Sequence, residues 1–372
     1  MPVTPRLQGQ QQGQQQGQQQ GQKQGQKQGP QLPSALSFSS SGVFLVGQMG
    51  IYCRLYESGR LSNVTEYYGC SGGGVCAYLA ALGVTPAWIR EWVQHFDTRP
   101  LLNIQEEMVV DYMTSWGVDS GDYGAEYIRK FIDTWEPGAS RWTFAELAAR
   151  RPGISLKIIA TNVSAGDQEV FSVATHPTMQ VGDAIRASSS IPFYAVPWRD
   201  SSGQIFCDGA VLETYPLHCV RSPAETLFII CGEERNHRLV GPVQTFGGYV
   251  HKLLNLVRFW NRSIQEPEHV IRLSPCGIMM LDFMISKEER LHLFATGISD
   301  AERWISKGSM QGSVGETAES HPSSGGPNAL SVSRLSPGLL SDSHRSSTPL
   351  PSGAPSQGSH AGGSRRYRRW SY

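Results

Sequence analysis

Apolar positions between residues 34 and 306 follow two spacings, and these predict the secondary structure. Alternating or short continuous apolar runs predict strands, whereas apolar residues three or four positions apart predict helices. The predicted strands lie at residues 35–38, 64–68, 156–161, 170–172, 204–207, 227–231 and 269–273. The predicted helices lie at residues 47–57, 74–82, 86–96, 127–135, 144–150, 181–188, 250–259 and 287–305. This alternation of strands and helices indicates an α/β fold built on a largely parallel sheet.

The two ends of the chain lack such patterns. Residues 9–29 repeat Gly-Gln-Gln-Gln and then Gly-Gln-Lys-Gln, and the residues after 306 are mainly Ser, Gly and Pro. Segments of this composition cannot bury enough apolar surface to fold. We therefore predict disordered segments at residues 1–33 and 307–372, and one domain at residues 34–306.

Charge is unevenly distributed, although the formal net charge of the 372 residues is zero. Both ends are net basic, so the predicted domain is net acidic. The C-terminus, Arg365-Arg366-Tyr367-Arg368-Arg369-Trp370-Ser371-Tyr372, combines arginine with aromatic residues. It can make an anionic membrane contact, or it can be only a solubilising or targeting extension. Nucleic acid is not expected as a partner, and the sequence specifies no oligomeric state.

Cysteine and histidine spacings give no indication of a disulfide framework or a metal site. The seven cysteines are widely spaced and most lie in apolar runs, which is typical of reduced, buried thiols. No C-x-x-C or H-x-x-x-H pair occurs, so no metal and no cofactor are expected. No segment approaches 18 apolar residues, and the N-terminus does not resemble a signal peptide. We expect an intracellular, cytoplasmic protein, with peripheral membrane association left open.

A G-x-S-x-G pentad, Gly69-Cys70-Ser71-Gly72-Gly73, stands between a predicted strand and a predicted helix. A turn of this kind exposes its serine as a nucleophile, and its glycines let two backbones pass closely. The start of the helix directs N–H groups and a positive dipole end at negative charge formed beside the serine. A tight glycine-rich turn without chemistry has the same pattern, so a second signal is needed. A phosphate-binding loop is not indicated, because no Gly-Lys-[Ser/Thr] follows.

The second signal is an acid at the end of a later strand. Asp208-Gly209-Ala210 follows the predicted strand at residues 204–207, and an acid there can lie beside the serine. Upstream, residues 183–193 read Asp-Ala-Ile-Arg-Ala-Ser-Ser-Ser-Ile-Pro-Phe, a helix that ends in small residues and a proline. Small residues allow close packing near a pocket, and the proline fixes the exit of the chain.

Taken together, these segments resemble the patatin-like phospholipases over roughly residues 35–305. The family has a Gly-rich loop after its first strand, then G-x-S-x-G, an A-T strand, D-A-I-R-A-S-x-x-x-P and D-G-[GA]. The matching segments occur here in that order: Ser39-Ser40-Ser41-Gly42, residues 69–73, Ala160-Thr161, residues 183–192 and Asp208-Gly209-Ala210. The resemblance implies a three-layer α/β/α patatin-like fold with a mostly parallel central sheet.

The resemblance also implies a catalytic dyad without a histidine relay, with Ser71 as nucleophile and Asp208 as base. Oxyanion or substrate-binding groups would come from Ser40, Ser41, Gly42 and Gly72. The remaining motif residues are Gly69, Gly73, Gly209 and Ala210. The implied activity is a phospholipase A-type lipid acyl hydrolase acting on membrane or micellar glycerophospholipids, without calcium. Neutral glycerides and lysophospholipids remain alternative substrates.

One motif departs from the family. The family loop is close to G-G-G-x-x-G, whereas this chain has Ser40-Ser41-Gly42-Val43-Phe44-Leu45 and so keeps one glycine. Serine adopts a positive φ only at a cost, and a leucine side chain prevents the closest backbone approach. Lower activity, a different substrate geometry, or an inactive relative that binds lipid or a partner are the consequences expected from this loop.

Other interpretations remain open. An α/β-hydrolase triad would use His218, which follows Asp208 by ten residues, although the serine comes early for that fold. A non-enzymatic protein could instead recruit partners through its polar ends. Residues 193–198 are expected to line an acyl channel and residues 278–284 to form a lid or bilayer-touching edge, and core packing explains both segments as well.

Overall fold

The computed structural model describes residues 32–232 and 267–311, with side chains described as far as residue 308. Within these residues, eight strands form one sheet. The strands are β1 Ala35–Phe38, β2 Glu66–Cys70, β3 Ser155–Asn162, β4 Asp167–Ser172, β5 Trp198–Arg199, β6 Ile205–Asp208, β7 Thr226–Cys231 and β8 Val270–Leu273. The α-helices are α1 Leu45–Glu57, α2 Gly72–Ala81, α3 Pro86–His95, α4 Glu106–Val110, α5 Tyr112–Ser115, α6 Asp122–Trp135, α7 Phe144–Arg150, α8 Val181–Ser188 and α9 Lys287–Gln311. Short 3-10 helices lie at Gly42–Phe44, Arg99–Leu101, Ala139–Arg141, Gly209–Val211 and Pro223–Glu225.

The sheet has the order β5-β6-β3-β2-β1-β7-β8, with β4 also paired to β3. Neighbouring strands are parallel from β3 through β2, β1 and β7 to β8. The pairs β3–β4, β3–β6 and β5–β6 are antiparallel. The prediction of an α/β fold with a mostly parallel central sheet is confirmed.

The pairing of β3 explains how two distant segments meet. β4 runs along β3 from Lys157 to Asn162, whereas β2 pairs with β3 only as far as Ile159. β6 pairs with β3 from Asn162 back to Ala160. A strand residue has one neighbour on each side, so β2 and β6 share the edge of β3 opposite β4. The two strands run towards each other and end at adjacent positions, Ile159 and Ala160.

The two faces of the sheet bury different clusters, because successive side chains of a strand point to opposite faces. Leu36, Phe38 and Ile158 belong to the large cluster, which includes buried residues of α1, α2, α3, α6, α7, α8 and α9. Tyr68 and Phe228 belong to a smaller cluster on the other face, packed with residues 215–220. The main helical layer therefore lies on one face, and its helices α2 and α8 adjoin the carboxyl ends of the parallel strands.

Several elements agree with the sequence predictions and a few differ. β1 and α8 have the predicted bounds, whereas β2 lies two residues later than predicted and α6 begins five residues earlier. Residues 97–123, which gave no clear pattern, contain a 3-10 helix and the helices α4 and α5, none of which has a buried residue. Elements without a buried face have no apolar period to detect. The helix predicted at residues 250–259, residues 1–31 and residues 312–372 lie outside the described residues.

Candidate active site

Ser71 occupies a strained turn at the carboxyl end of β2. Its backbone has φ 54° and ψ −129°, and α2 begins at the next residue. A non-glycine residue with positive φ is uncommon, and such strain is concentrated at functional sites. The residue is 5% exposed. The turn places the hydroxyl beside the N-terminus of a ten-residue helix, whose dipole favours negative charge there.

The glycines of the pentad permit close backbone contacts. A Cβ at position 69 would lie 2.4 Å from the carbonyl oxygen of Gly73, and a Cβ at Gly73 would lie 2.2 Å from the carbonyl oxygen of Ser39. Both distances are far shorter than real contacts, and both neighbours are backbone atoms. Larger residues would therefore push α2 away from β2 and β1 and displace Ser71.

Asp208 contacts Ser71 directly. The Ser71 hydroxyl donates to Oδ2 of Asp208 at 2.6 Å, and the Ala210 amide donates to Oδ1 at 2.8 Å. A Cβ at Gly209 would lie 2.4 Å from the carbonyl oxygen of Ile159, so glycine is needed where the chain leaves β6. Asp208 is 5% exposed. The structure thus brings the predicted nucleophile and the predicted base together, with one carboxylate oxygen held by the D-G-A turn.

Two other motifs support this pair through hydrogen bonds. The Thr161 hydroxyl donates to the carbonyl oxygen of Asp208 at 3.0 Å, and the Asp208 amide donates to the carbonyl oxygen of Ser190 at 2.9 Å. The Ser188 hydroxyl accepts from the Ser71 amide at 2.7 Å and donates to the carbonyl oxygen of Ile159 at 2.5 Å. The sequence did not single out these individual roles. Their only sequence signal was membership of the A-T and D-A-I-R-A-S segments.

Arg186 links α8 to the loops beside the site. Its guanidinium donates to the Ser190 hydroxyl at 2.6 Å, to the Val196 carbonyl at 3.1 Å and to the Ser120 carbonyl. Burial lowers the pKa of Arg186, while the charges of Asp119 and Asp122 oppose that effect. Because the Ser190 carbonyl holds the Asp208 amide, Arg186 also supports the position of Asp208.

The loop before α1 lies against the start of α2. Gly42 has φ +48°, and a Cβ there would lie 2.1 Å from the carbonyl oxygen of Met280. A Cβ at Gly72 would lie 3.3 Å from the Gly42 nitrogen, so the two backbones are adjacent. Within the described part of the chain, neither the Gly42 nor the Gly72 amide donates a hydrogen bond. The Ser40 amide, by contrast, donates to the Thr214 carbonyl at 2.7 Å.

The loop keeps its glycine at the position whose backbone requires one. Ser41 has φ −143° and Leu45 has φ −50°, and neither value is unfavourable for an ordinary residue. Leu45 is buried at the start of α1 and lines the larger cavity described below. None of Ser40, Ser41 and Leu45 has a positive φ, so the backbone cost expected for serine does not arise, and the consequences expected for activity stay predictions. The Ser41 hydroxyl is buried and has no hydrogen-bond partner among the residues that the structure describes.

Two cavities meet at Ser71. The larger contains about 900 Å³ of space, part of it open to solvent, and has a mainly apolar wall that includes Leu45, Val75, Ile128, Ile132 and Ile185. The smaller, of about 380 Å³, is lined by residues that include Ser40, Ser41, Asp208, Met280 and Leu281. Gly42, Ser71 and Ile191 border both. A substrate at Ser71 can thus place an apolar group on one side and a more polar group on the other.

Residues 193–198 and 278–284 are the two apolar segments singled out from the sequence, and each contributes some residues to the walls of these cavities. Tyr194 and Ala195 line the larger cavity, whereas Phe193 is exposed and has φ +73°. From residues 278–284, Phe283 lines the larger cavity, Met280 and Leu281 line the smaller one, and Met279 and Met284 are exposed. The roles of these segments in binding acyl chains or membranes remain predictions.

The alternative partner for the serine lies elsewhere. Nδ1 of His218 lies 2.9 Å from Oε1 of Glu213, and the imidazole is 73% exposed. Within the described residues, His218 bonds to Glu213 rather than to Ser71 or Asp208. The thiol of Cys207, the residue before Asp208, cannot accept the Ser71 proton either. Burial and the Asp208 charge raise its pKa to about 12, so it is already protonated at neutral pH.

Residues 32–232 and 267–311 contain neither a metal-binding cluster nor a membrane-spanning helix. No group of three or more His, Cys, Asp or Glu side chains in these residues is arranged to hold a metal ion. No helix in the same residues has the length and apolar character needed to cross a bilayer.

Comparison with known families gives the same assignment as the motifs. The patatin-like phospholipase model matches residues 36–220, which contain Ser71, Asp208 and all the segments that hold them. The chain belongs to the patatin-like phospholipase family. This is a family of lipid hydrolases, and membership supports a lipid-hydrolysing enzyme.

Individual relatives of this patatin-like protein are distant. An uncharacterized protein of Acanthamoeba polyphaga mimivirus is 24% identical over 288 residues, which are 73% of this chain and 93% of the viral protein. A protein of invertebrate iridescent virus 6 described as a probable lipid hydrolase is 22% identical over 180 residues, 47% of this chain and 58% of that protein. The crystal structure of VipD from Legionella pneumophila has a TM-score of 0.52 and 14% identity, covering 75% of this chain and 68% of that one. The likeness to VipD concerns the fold.

Proposed function

We propose that this patatin-like protein is a phospholipase A-type acyl hydrolase that forms an acyl-enzyme on Ser71 with Asp208 as its base. The observation that carries the proposal is the buried 2.6 Å hydrogen bond from the Ser71 hydroxyl to Oδ2 of Asp208 at the junction of two cavities. A nucleophile and base within hydrogen-bond reach, with the base held by further groups, is the arrangement that covalent catalysis requires. Here the Ala210 amide and the Thr161 hydroxyl hold the base.

In the first step, the Ser71 oxygen attacks the ester carbonyl carbon while Asp208 takes the hydroxyl proton. The carbonyl oxygen becomes an oxyanion, which the amides of Gly42 and Gly72 and the N-terminus of α2 stabilise. The C–O bond to the leaving alcohol breaks, and that alcohol receives the proton from Asp208. The products of this step are the free alcohol and an ester between the acyl group and Ser71.

In the second step, Asp208 takes a proton from water, and the resulting hydroxide attacks the acyl-enzyme. The tetrahedral intermediate collapses, the Ser71 oxygen recovers the proton and the fatty acid leaves. The mainly apolar wall of the larger cavity supports binding of the acyl chain, since ligand sites are lined predominantly by hydrophobic side chains. The smaller cavity would hold the glycerol side of a glycerophospholipid.

Labelling and substitution test the proposal. A fluorophosphonate should label the native protein and not Ser71→Ala. With a soluble ester, Asp208→Asn should lower kcat by about a hundredfold or more, because the general base is lost. His218→Ala is the matched control and should keep wild-type kcat. Full activity of Asp208→Asn would exclude the dyad, whereas loss of activity in His218→Ala would favour a triad.

The substrate assignment needs a separate measurement. Release of fatty acid from phosphatidylcholine, lysophosphatidylcholine and triacylglycerol should be compared under the same conditions. We expect the highest kcat/KM for phosphatidylcholine. A preference for triacylglycerol would reassign the protein as a neutral-glyceride lipase while leaving the dyad intact.

A further inference from the structure

Residues 103–118 form a loop that leaves the wall of the larger cavity and returns to it. Leu102 and Asp119, which flank the loop, both line that cavity. The base of the loop is closed by two hydrogen bonds, from the Asn103 amide to Oδ2 of Asp119 at 2.7 Å and from the Gln105 amide to the Val118 carbonyl at 2.9 Å. We call residues 103–118 the rim loop.

The rim loop presents apolar side chains to solvent. Its helices α4 and α5 have no buried residue, and Val110 and Met113 are 85% and 84% exposed. Ile104, Val109 and Trp116 are exposed as well. Single exposed apolar residues are ordinary, but a cluster of them on one loop marks an interaction site.

Backbone strain adds to this cluster. Trp116 has φ +63°, and Phe193, next to the cavity-lining Tyr194, has φ +73°. The amides of Val118 and Asp119 both donate to the Tyr194 carbonyl, at 2.8 and 2.9 Å, so the two strained segments are joined. Bulky residues with positive φ are costly, and both aromatic side chains remain more than 40% exposed, so burial offsets only part of that cost.

The charges around the rim loop select among partners. Residues 100–128 contain no Lys or Arg, and Glu106, Glu107, Asp111 and Asp122 are exposed. The guanidinium of Arg199 lies 4.8 Å from the centre of the Trp116 ring, so these groups together remain net acidic. A twofold contact between two copies would set these acids against one another. An anionic membrane would repel them for the same reason. An uncharged or zwitterionic lipid surface carries neither penalty and accepts Met and aromatic side chains readily.

We propose that the rim loop docks this protein on an uncharged lipid surface, with Val110 and Met113 inserted, so that the cavity at Ser71 opens towards the lipid. The proposal rests on the lipid substrate inferred above. It is independent of the basic C-terminus, whose expected contact is with anionic lipid.

The test measures binding of the full chain to phosphatidylcholine vesicles by co-sedimentation. Ser71→Ala is the background, so hydrolysis cannot alter the vesicles. The combined substitutions Val110→Asn and Met113→Gln should weaken partitioning by at least about tenfold, because two exposed apolar side chains no longer leave water. Val173→Asn is the matched control: Val173 is also exposed but follows β4, at the end of the sheet opposite Ser71, and should change nothing.

A charge-reversal variant tests the selectivity. Glu106→Lys with Glu107→Lys should strengthen binding to vesicles containing phosphatidylserine by about tenfold or more, since each basic residue near such a surface contributes roughly 1 kcal/mol. Binding to phosphatidylcholine alone should change far less. Equal gains on both vesicle types would overturn the role given to the acids.

Further outcomes would overturn the docking proposal. These are equal binding by the Val110/Met113 variant and its parent, wild-type binding only when anionic lipid is present, or a dimer in analytical ultracentrifugation that the variant dissociates. With native Ser71, the variant should lose activity on vesicles but keep it on a soluble ester. If the native protein hydrolyses no ester while Ser71→Ala still binds vesicles through Val110 and Met113, the proposed activity fails and the docking surface stands.

Discussion

Replacing Gly42 by alanine tests whether the loop before α1 builds the oxyanion site. Gly42 has φ +48°, and the added Cβ would lie 2.1 Å from the carbonyl oxygen of Met280. That oxygen already accepts a hydrogen bond from the Val43 amide at 3.0 Å. Since the obstacle is backbone rather than a flexible side chain, the loop itself must move by nearly an ångström to restore a tolerable contact of 3.0 Å.

The expected cost has two parts. Left-handed backbone in a non-glycine residue costs about 1–2 kcal/mol. Weakening the bond from Val43 to Met280 adds about 1 kcal/mol, so the variant should lose about 2–3 kcal/mol of folding stability. A shift of the Gly42 amide away from the oxyanion would cost about 3 kcal/mol of transition-state stabilisation, or about a hundredfold in kcat.

The assay is kcat and KM on a soluble ester, together with the thermal midpoint from circular dichroism. Gly59→Ala is the matched control, because Gly59 has φ +71° and nothing lies within 4 Å of its added Cβ. This control incurs the backbone cost without a collision and lies at the end of α1, away from Ser71. It should lose stability and keep its kcat.

One result would refute the reasoning. If Gly42→Ala is folded at the assay temperature and retains wild-type kcat, the Gly42 amide does not stabilise the oxyanion. A fall in activity that simply follows the unfolded fraction, with Gly59→Ala behaving alike at matched stability, would lead to the same conclusion.

Two further predictions concern support of the base and acid stability. Arg186→Lys should lower kcat by about tenfold with little change in KM, because lysine cannot reproduce the forked contacts that position Asp208; unchanged kcat would contradict this. Burial raises the pKa of Glu66, but hydrogen bonds from Tyr68 and Lys157, with the Arg221 charge, lower it below its ordinary 4.5 overall. This stabilisation is present above the ordinary pKa and disappears as pH falls through the lowered pKa. The thermal midpoint of wild type should therefore fall towards that of Glu66→Gln as pH is lowered from about 7 to about 3. A constant difference between the two midpoints would show that Glu66 does not titrate in this way.

The local spacing of apolar residues was sufficient to predict the helices and strands that have a buried face. α8 has its predicted bounds because its apolar residues face the core at helical spacing, and β1 because all four of its residues are buried. α4 and α5 were missed because they bury no residue and so leave no periodic signal. The start of α6 was placed too late for a related reason, since its first turn contains the exposed residues Asp122 and Tyr123.

The motif residues were found from sequence through the G-x-S-x-G pentad and the resemblance of the other segments to the family pattern. The contacts that hold these residues in place could not be found from sequence. Ser188 and Ser190 differ little from Ser189 in the sequence, and only the packing of α8 against β3 and β6 decides which of them holds Ser71 and which holds Asp208. The loop before α1 was similar: three glycines of the family pattern are missing, and only the backbone angles show that the remaining one, Gly42, has a positive φ.

The sequence by itself determined an α/β chain with a serine on a strand-to-helix turn and an acid on a later strand. Contact between these two residues was implied only by the family resemblance, because nothing local relates positions 137 residues apart. The sheet decides that. β2 and β6 pair with the same edge of β3 from opposite directions and end at Ile159 and Ala160, which brings Ser71 and Asp208 into hydrogen-bond contact.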